Sequence, residues 1–62
     1  DHEKPKSTYD DKLSAFVREN FRQAYDCAQQ MRRYVLKRYS YEISDDEVIY
    51  LTLHLEKLFG EG

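Results

Sequence analysis

The chain of 62 residues contains one cysteine, one proline and two glycines. Its single cysteine, Cys27, cannot form an internal disulfide, so the sequence indicates a reducing, cytoplasmic compartment. Because proline and glycine are scarce while strong helix formers are many, the composition predicts an all-α fold. A chain this short forms one domain at most, and a domain of this size is only marginally stable.

The sequence also lacks excess positive charge, long apolar runs and clustered metal ligands. A formal net charge of −2 gives no general attraction to nucleic acid or anionic lipid. No apolar run approaches a membrane span, and no signal-peptide pattern opens the chain. His2 and His54 are far apart, and there is no glycine-rich phosphate loop or nucleophile–base pair. We therefore expect a non-enzymatic protein with no metal, no cofactor and no membrane partner.

The clearest positive signal is the stretch SDDEVIYLTLHLEKLF, from Ser44 to Phe59. Ser44 and Glu47 form a capping box, and the acidic first turn complements the positive end of the helix dipole. Gly60 then supplies a residue that can turn left-handed and end the helix. This pattern predicts a helix of roughly four turns.

The sides of this helix are apolar over more than one face. Ile49 and Leu53 lie well off the main stripe, and a helix that is apolar almost all round needs cover on several sides. We expect the rest of the chain to cover only the stripe, so the sequence predicts further chain upstream, an oligomer, or both. The stripe consists of Val48, Leu51, Leu55, Leu58 and Phe59.

Two further helices are predicted before it. Residues 1–7 are polar and read as a flexible linker, after which Ser7 or Thr8 caps a short helix that ends near Asn20 in a left-handed turn. A longer helix runs from about Arg22 to Tyr39, and the short link after it favours antiparallel packing of the two long helices. Ile43 in that link is placed to pack against Val48. The predicted core faces of the two helices are Leu13, Phe16, Val17 and Phe21, then Ala24, Cys27, Ala28, Met31, Tyr34, Val35 and Tyr39.

The stretch from Tyr25 to Leu58 resembles the C-terminal half of the phosphotransferase-system regulation domain, or PRD. Such domains occur in bacterial transcription antiterminators of the BglG/LicT/SacY type and in related activators. Residues 8–62 would then form a partial domain of this kind. The matching features are Tyr25 and Ala28 in a long helix, Tyr39 near its end, the cap from Ser44 to Glu47, and the run from Tyr50 to Leu55 that contains His54.

The resemblance implies that the three helices are part of a five-helix bundle that forms homodimers. It also implies that histidines accept phosphoryl groups from the phosphocarrier protein HPr or from sugar-permease components, which shifts the dimer between active and inactive forms. His54 matches the second family histidine, whereas the first lies upstream of anything in this chain. RNA binding would belong to a separate domain that is absent here.

His54 has a physical case of its own as a phosphoryl acceptor. A neutral imidazole is nucleophilic, and an ordinary histidine is mostly neutral in the cytoplasm. Tyr50, one turn earlier, is a possible neighbour, and Arg33 is a possible charge partner for the phosphoryl group. The competing interpretation makes the chain a helical homodimerisation module in which His54 is a partly buried structural residue. The other candidate charge partners are Arg22, Arg32 and Arg38.

A third interpretation is a small helical domain that binds nucleic acid. Arg22, Arg32, Arg33 and Lys37 would supply the contacts, but Asp26 interrupts their face and the net charge is negative. A solvated helix face explains these residues better. For Cys27, a buried structural thiol is the better reading than a reactive one.

Overall fold

The computed structural model describes residues 10–61, so the predicted linker of residues 1–7 lies outside the described residues. It contains three helices, α1 (Asp11–Asn20), α2 (Arg22–Tyr39) and α3 (Asp45–Glu61). Each helix contacts the other two, and the interface between α2 and α3 is the most extensive. The predicted all-α fold of one short and two long helices is confirmed. Within residues 10–61 no helix combines the length and apolar content that crossing a membrane requires.

Helix α1 begins later than the sequence predicts. Asp10 is its N-cap, with its carboxylate accepting a hydrogen bond of 2.7 Å from the Leu13 backbone N–H. The predicted cap at Ser7 or Thr8 is therefore wrong. Aspartate is among the best N-cap residues, and its charge also complements the positive end of the helix dipole.

Helix α1 ends at Asn20 as predicted, but a different interaction ends it. The Asn20 side chain donates to the Phe16 carbonyl oxygen at 2.9 Å, and Phe21 leaves the helix with φ −118° and ψ 53°. The left-handed turn predicted at Asn20 is absent, since Ser40 is the one non-glycine residue with positive φ among those described. The side-chain amide thus satisfies a helix carbonyl without that turn.

Helix α2 ends in such a left-handed turn, at Ser40, and the following link folds back. Ile43 of the link is 8% exposed and packs in one cluster with Ala28 and Val48. The predicted contact between Ile43 and Val48 is confirmed. Near it, the Arg32 guanidinium pairs with the Asp45 carboxylate at 3.0 Å. Helix α3 therefore begins beside the middle of α2 rather than beside its end.

The predicted capping box of α3 is confirmed. The Glu47 backbone N–H donates to the Ser44 hydroxyl oxygen at 3.2 Å, and the Ser44 backbone N–H donates to the Glu47 carboxylate at 3.1 Å. The predicted stop at Gly60 is wrong, because the helix continues through Gly60 to Glu61 without a left-handed glycine. A glycine permits that conformation without requiring it.

The core lies where small residues let the helices approach closely. Ala24 and Ala28 of α2 are fully buried, as is Thr52 of α3, whose hydroxyl donates to the Val48 carbonyl oxygen at 2.7 Å. Because Thr52 satisfies its own helix, burying it leaves no unpaired hydroxyl. The described core consists of Val17, Ala24, Ala28, Ile43, Val48, Ile49 and Thr52.

Several predicted core positions of α2 lie outside this core. Met31, Tyr34 and Tyr39 are exposed, and Cys27 is half-buried rather than buried. The reason is that α3 covers only one edge of the predicted face of α2. That edge carries Ala24 and Ala28 together with half-buried Tyr25 and Val35.

The buried face of α3 is also rotated from its predicted stripe. Leu58 and Phe59 are exposed, at 56% and 44%, whereas Ile49 is only 4% exposed. The expectation that this chain leaves Ile49 uncovered is wrong, and Leu53 is half-buried. Helix α1 packs against α3 as well as against α2, so α3 has two neighbouring helices.

Candidate functional site

His54 lies on the solvent-facing side of α3. It is exposed, and Thr52, two residues earlier and almost opposite around the helix, is fully buried. The packing that buries Thr52 therefore turns the imidazole outward. We call the exposed residues that share its side the His54 flank; they are Glu47, Tyr50, His54, Lys57, Leu58 and Glu61.

Tyr50 is the one aromatic partner of this imidazole among the described residues. The two ring centroids are 5.4 Å apart and the ring planes are inclined at 43°. Tyr50 is itself 55% exposed, so the pair forms a small surface platform rather than a pocket. One side of the imidazole is thus supported by Tyr50 while the remainder is open to an approaching molecule.

Three of the four arginines proposed as charge partners make other contacts. Arg22 pairs with Asp26 at 3.5 Å, and Arg32 pairs with Asp45 at 3.0 Å. Arg38 lies 5.5 Å from the ring centroid of its neighbour in sequence, Tyr39. Arg33 is exposed, and in the described part of the chain no ion pair joins it to another side chain.

The basic residue on the flank itself is Lys57, which sequence reasoning about the site left out. It follows His54 by three residues, a spacing that places two side chains next to each other on a helix surface. That spacing was readable from the sequence once the helix was predicted. The predicted charge partners are instead arginines, among them Arg33 of α2.

One groove in the described structure does not include His54 in its lining. About 530 Å³ in volume, it lies between α1, α2 and the start of α3, and His54, Tyr50 and Arg33 do not line it. Within residues 10–61 no group of His, Cys, Asp or Glu side chains is arranged to hold a metal ion. The groove is lined by Asp11, Ser14, Arg18, Tyr25, Arg32, Ser44, Asp45, Asp46, Val48 and Ile49.

The exposure of His54 bears on its two interpretations. A structural core histidine would be buried and hydrogen-bonded, whereas this imidazole faces solvent and its described neighbour is an aromatic ring. The site is therefore a solvent-accessible imidazole on a helix surface. Fold and site together define a small helical module with this histidine on its outer surface.

Comparison with known proteins identifies the module. Residues 2–58 match the family described as the PRD domain, and the chain belongs to this family. It is 35% identical over 53 residues to the transcription antiterminator LicT of Bacillus subtilis (strain 168), a match that covers 86% of this chain and 19% of that protein.

A second relative is also named as an antiterminator. The chain is 28% identical over 57 residues to the beta-glucoside operon antiterminator of Dickeya chrysanthemi, which covers 92% of this chain and 20% of that protein. The chain thus spans about a fifth of the length of the curated relatives it matches. No solved structure matches significantly. The resemblance drawn from the stretch Tyr25 to Leu58 is confirmed at the level of the family.

Proposed function

We propose that this chain is a non-enzymatic regulatory module of a bacterial transcription antiterminator, and that His54 accepts a phosphoryl group from the sugar phosphotransferase system. The donor would be HPr or a sugar-permease component. The observation that carries the proposal is the solvent exposure of His54 on α3. A protein donor can reach such a side chain without unfolding the helix.

When the donor is a phosphohistidine, the phosphoryl group would pass from the donor's imidazole to the imidazole of His54. The unprotonated ring nitrogen of His54 supplies the electron pair of the new N–P bond, and the donor's N–P bond breaks with its electron pair left on the donor nitrogen. His54 gives up its N–H proton and the donor imidazole gains one. No electron is gained or lost overall, so no cofactor is required.

The new group would add a charge of about −1.5 to −2 to the surface of α3. Exposed apolar side chains lie near it on the same helix, including Leu58 and Phe59. If such side chains are covered in a homodimer, an added charge at the rim changes the free energy of association. Phosphorylation would then shift the dimer equilibrium and with it the activity of the antiterminator.

A phosphorylation assay tests the acceptor role. The chain is incubated with labelled phosphoenolpyruvate, the general phosphotransferase proteins and HPr, and acid-labile label is measured. We expect label on the unmodified chain and its loss in His54→Ala. His2→Ala is the matched control and should keep the label, because His2 lies in the polar N-terminal stretch, far in sequence from the capped helix that carries His54. Label that persists in His54→Ala, or no label on the chain, would remove the acceptor role.

The alternative function is a helical homodimerisation module with no phosphoryl chemistry. The exposed apolar residues on α2 and α3 favour association, and they do so whether or not His54 is modified. An unlabelled chain that dimerises at micromolar concentration would support this alternative. RNA would be bound in either case through a part of the protein other than these helices.

A further inference from the structure

We infer that Lys57 is the cation that stabilises the phosphorylated form of His54, and that the two residues form one phosphoryl site on α3. This inference rests on the proposed function and deepens it, since it names the residue that compensates the new charge. The charge partner is then a residue of α3, three positions after His54, rather than an arginine of α2.

The first argument is helix geometry. Residues three apart are surface neighbours on a helix, with Cβ atoms about 5–6 Å apart. Helical side chains lean toward the N-terminus, so a residue covers the turn before its own Cα. The His54 ring leans on Tyr50 in this way, with ring centroids 5.4 Å apart. By the same rule the Lys57 stem extends back over the turn that carries His54.

The second argument is charge. Helix α3 carries carboxylates at Asp45, Asp46, Glu47, Glu56 and Glu61 and has one basic residue, Lys57. Two of these carboxylates, Glu47 and Glu61, share the exposed His54 flank. A phosphoryl group added to this acidic helix therefore meets like charges, and Lys57 is the cation of α3 that can offset them.

The third argument is availability. Arg22 and Arg32 are held in ion pairs with Asp26 and Asp45, and Arg38 lies against Tyr39. No salt bridge within 4.0 Å holds Lys57 among the described residues, and its side chain is exposed. It can therefore turn toward a phosphoryl oxygen without breaking an existing contact.

The test compares Lys57→Gln with Lys57→Arg and with Lys37→Gln, a charge-matched control on the exposed face of α2. All are made in the His2→Ala background, so that label reports His54 alone. The phosphoryl group is allowed to equilibrate with HPr, and the ratio of labelled chain to labelled HPr is measured. We expect Lys57→Gln to lower this ratio about two- to five-fold at low salt, as for an exposed helix ion pair.

The charge-conserving variant and salt give further readouts. Lys57→Arg should restore the ratio, and the effect of Lys57→Gln should shrink as salt screens the pair. Lys37→Gln should leave the ratio unchanged. If Lys57→Gln changes the ratio no more than Lys37→Gln does, the inference is overturned while the acceptor role of His54 stands.

A chemical route separates the inference from the proposed function. Phosphoramidate phosphorylates accessible histidines without any protein donor, and ³¹P NMR then follows the protonation of the phosphoryl group. We expect that protonation at a pH about 0.3 to 0.7 higher in Lys57→Gln than in the unmodified chain, because the lysine favours the dianion. A chain that HPr fails to label but that shows this difference would sink the proposed function and keep the phosphoryl site. Equal values in both chains would overturn the inference.

Discussion

Ser40 adopts a left-handed backbone conformation, with φ 55° and ψ 31°, at the end of α2. Its backbone N–H donates to the Leu36 carbonyl oxygen at 2.9 Å, which ends the helix, and the Tyr41 N–H donates to the Val35 carbonyl oxygen at 3.3 Å. For an L-residue this conformation costs roughly 1–2 kcal/mol, which glycine avoids. The turn nevertheless directs the link back along α2, so a residue with local strain determines where α3 begins.

Replacing this serine with glycine should stabilise the protein. We expect Ser40→Gly to raise the free energy of unfolding by about 0.5 to 1 kcal/mol, since relief of strain exceeds the added entropy of the unfolded chain. Urea denaturation followed by circular dichroism measures it. Ser14→Gly, inside α1, is the control and should lower the same free energy by about 0.5 kcal/mol. A loss of stability in Ser40→Gly comparable to the control would contradict the argument.

The distance between α2 and α3 depends on the small side chain of Ala28. Ala28 is fully buried and packs in one cluster with Ile43 and Val48, so the start of α3 lies directly against the α2 backbone at this position. Interiors are close-packed, and added methylenes there displace neighbouring side chains or backbone. The spacing between these two elements is therefore sensitive to the size of residue 28.

A larger residue at this position should force the two helices apart. We expect Ala28→Leu to lower the free energy of unfolding by about 1–3 kcal/mol, or more if α3 cannot shift. Thermal and urea unfolding measure the loss. Gln23→Leu, which adds leucine to an exposed position of the same helix, should change stability by less than about 0.5 kcal/mol. Equal effects of the two substitutions would show that the helices do not meet as closely as described.

At the scale of the whole molecule, three helices leave much apolar surface uncovered. An open, largely apolar depression on α2 is lined by Cys27, Gln30, Met31, Tyr34 and Val35. Met31 is 40% exposed and Tyr34 is 59% exposed. Monomeric proteins rarely keep such surfaces together without a use for them. The homodimer predicted from the sequence remains a prediction, and this depression is a candidate surface for it in addition to the exposed apolar side chains of α3.

Sedimentation at several concentrations tests that prediction. We expect the chain to self-associate and Met31→Glu to weaken association at least tenfold, because a charge would be buried without a partner. Gln23→Glu adds the same charge to an exposed position of α2 and should leave association unchanged. A chain that stays monomeric and folded at all concentrations would contradict the prediction.

The sequence by itself determined several features that depend on contacts within about four residues of the chain, although the cap of α1 and the ends of α1 and α3 differ in detail from the prediction. The capping box of Ser44 and Glu47 and the approximate bounds of the three helices are of this kind, because each rests on backbone and side-chain bonds local in sequence. The family resemblance also came from a local run, Tyr50 to Leu55 with its cap. These features were predicted correctly for that physical reason.

Only the tertiary structure decided which helix faces are covered and which way His54 points. A helical pattern gives the width of an apolar face, but the buried part depends on where neighbouring helices lie, so Ile49 became buried while Leu58 stayed exposed. Thr52 escaped prediction because a threonine is polar in sequence and becomes a core residue only once its hydroxyl is bonded to Val48. Its burial against the other helices is what turns His54 toward solvent on the opposite side of α3.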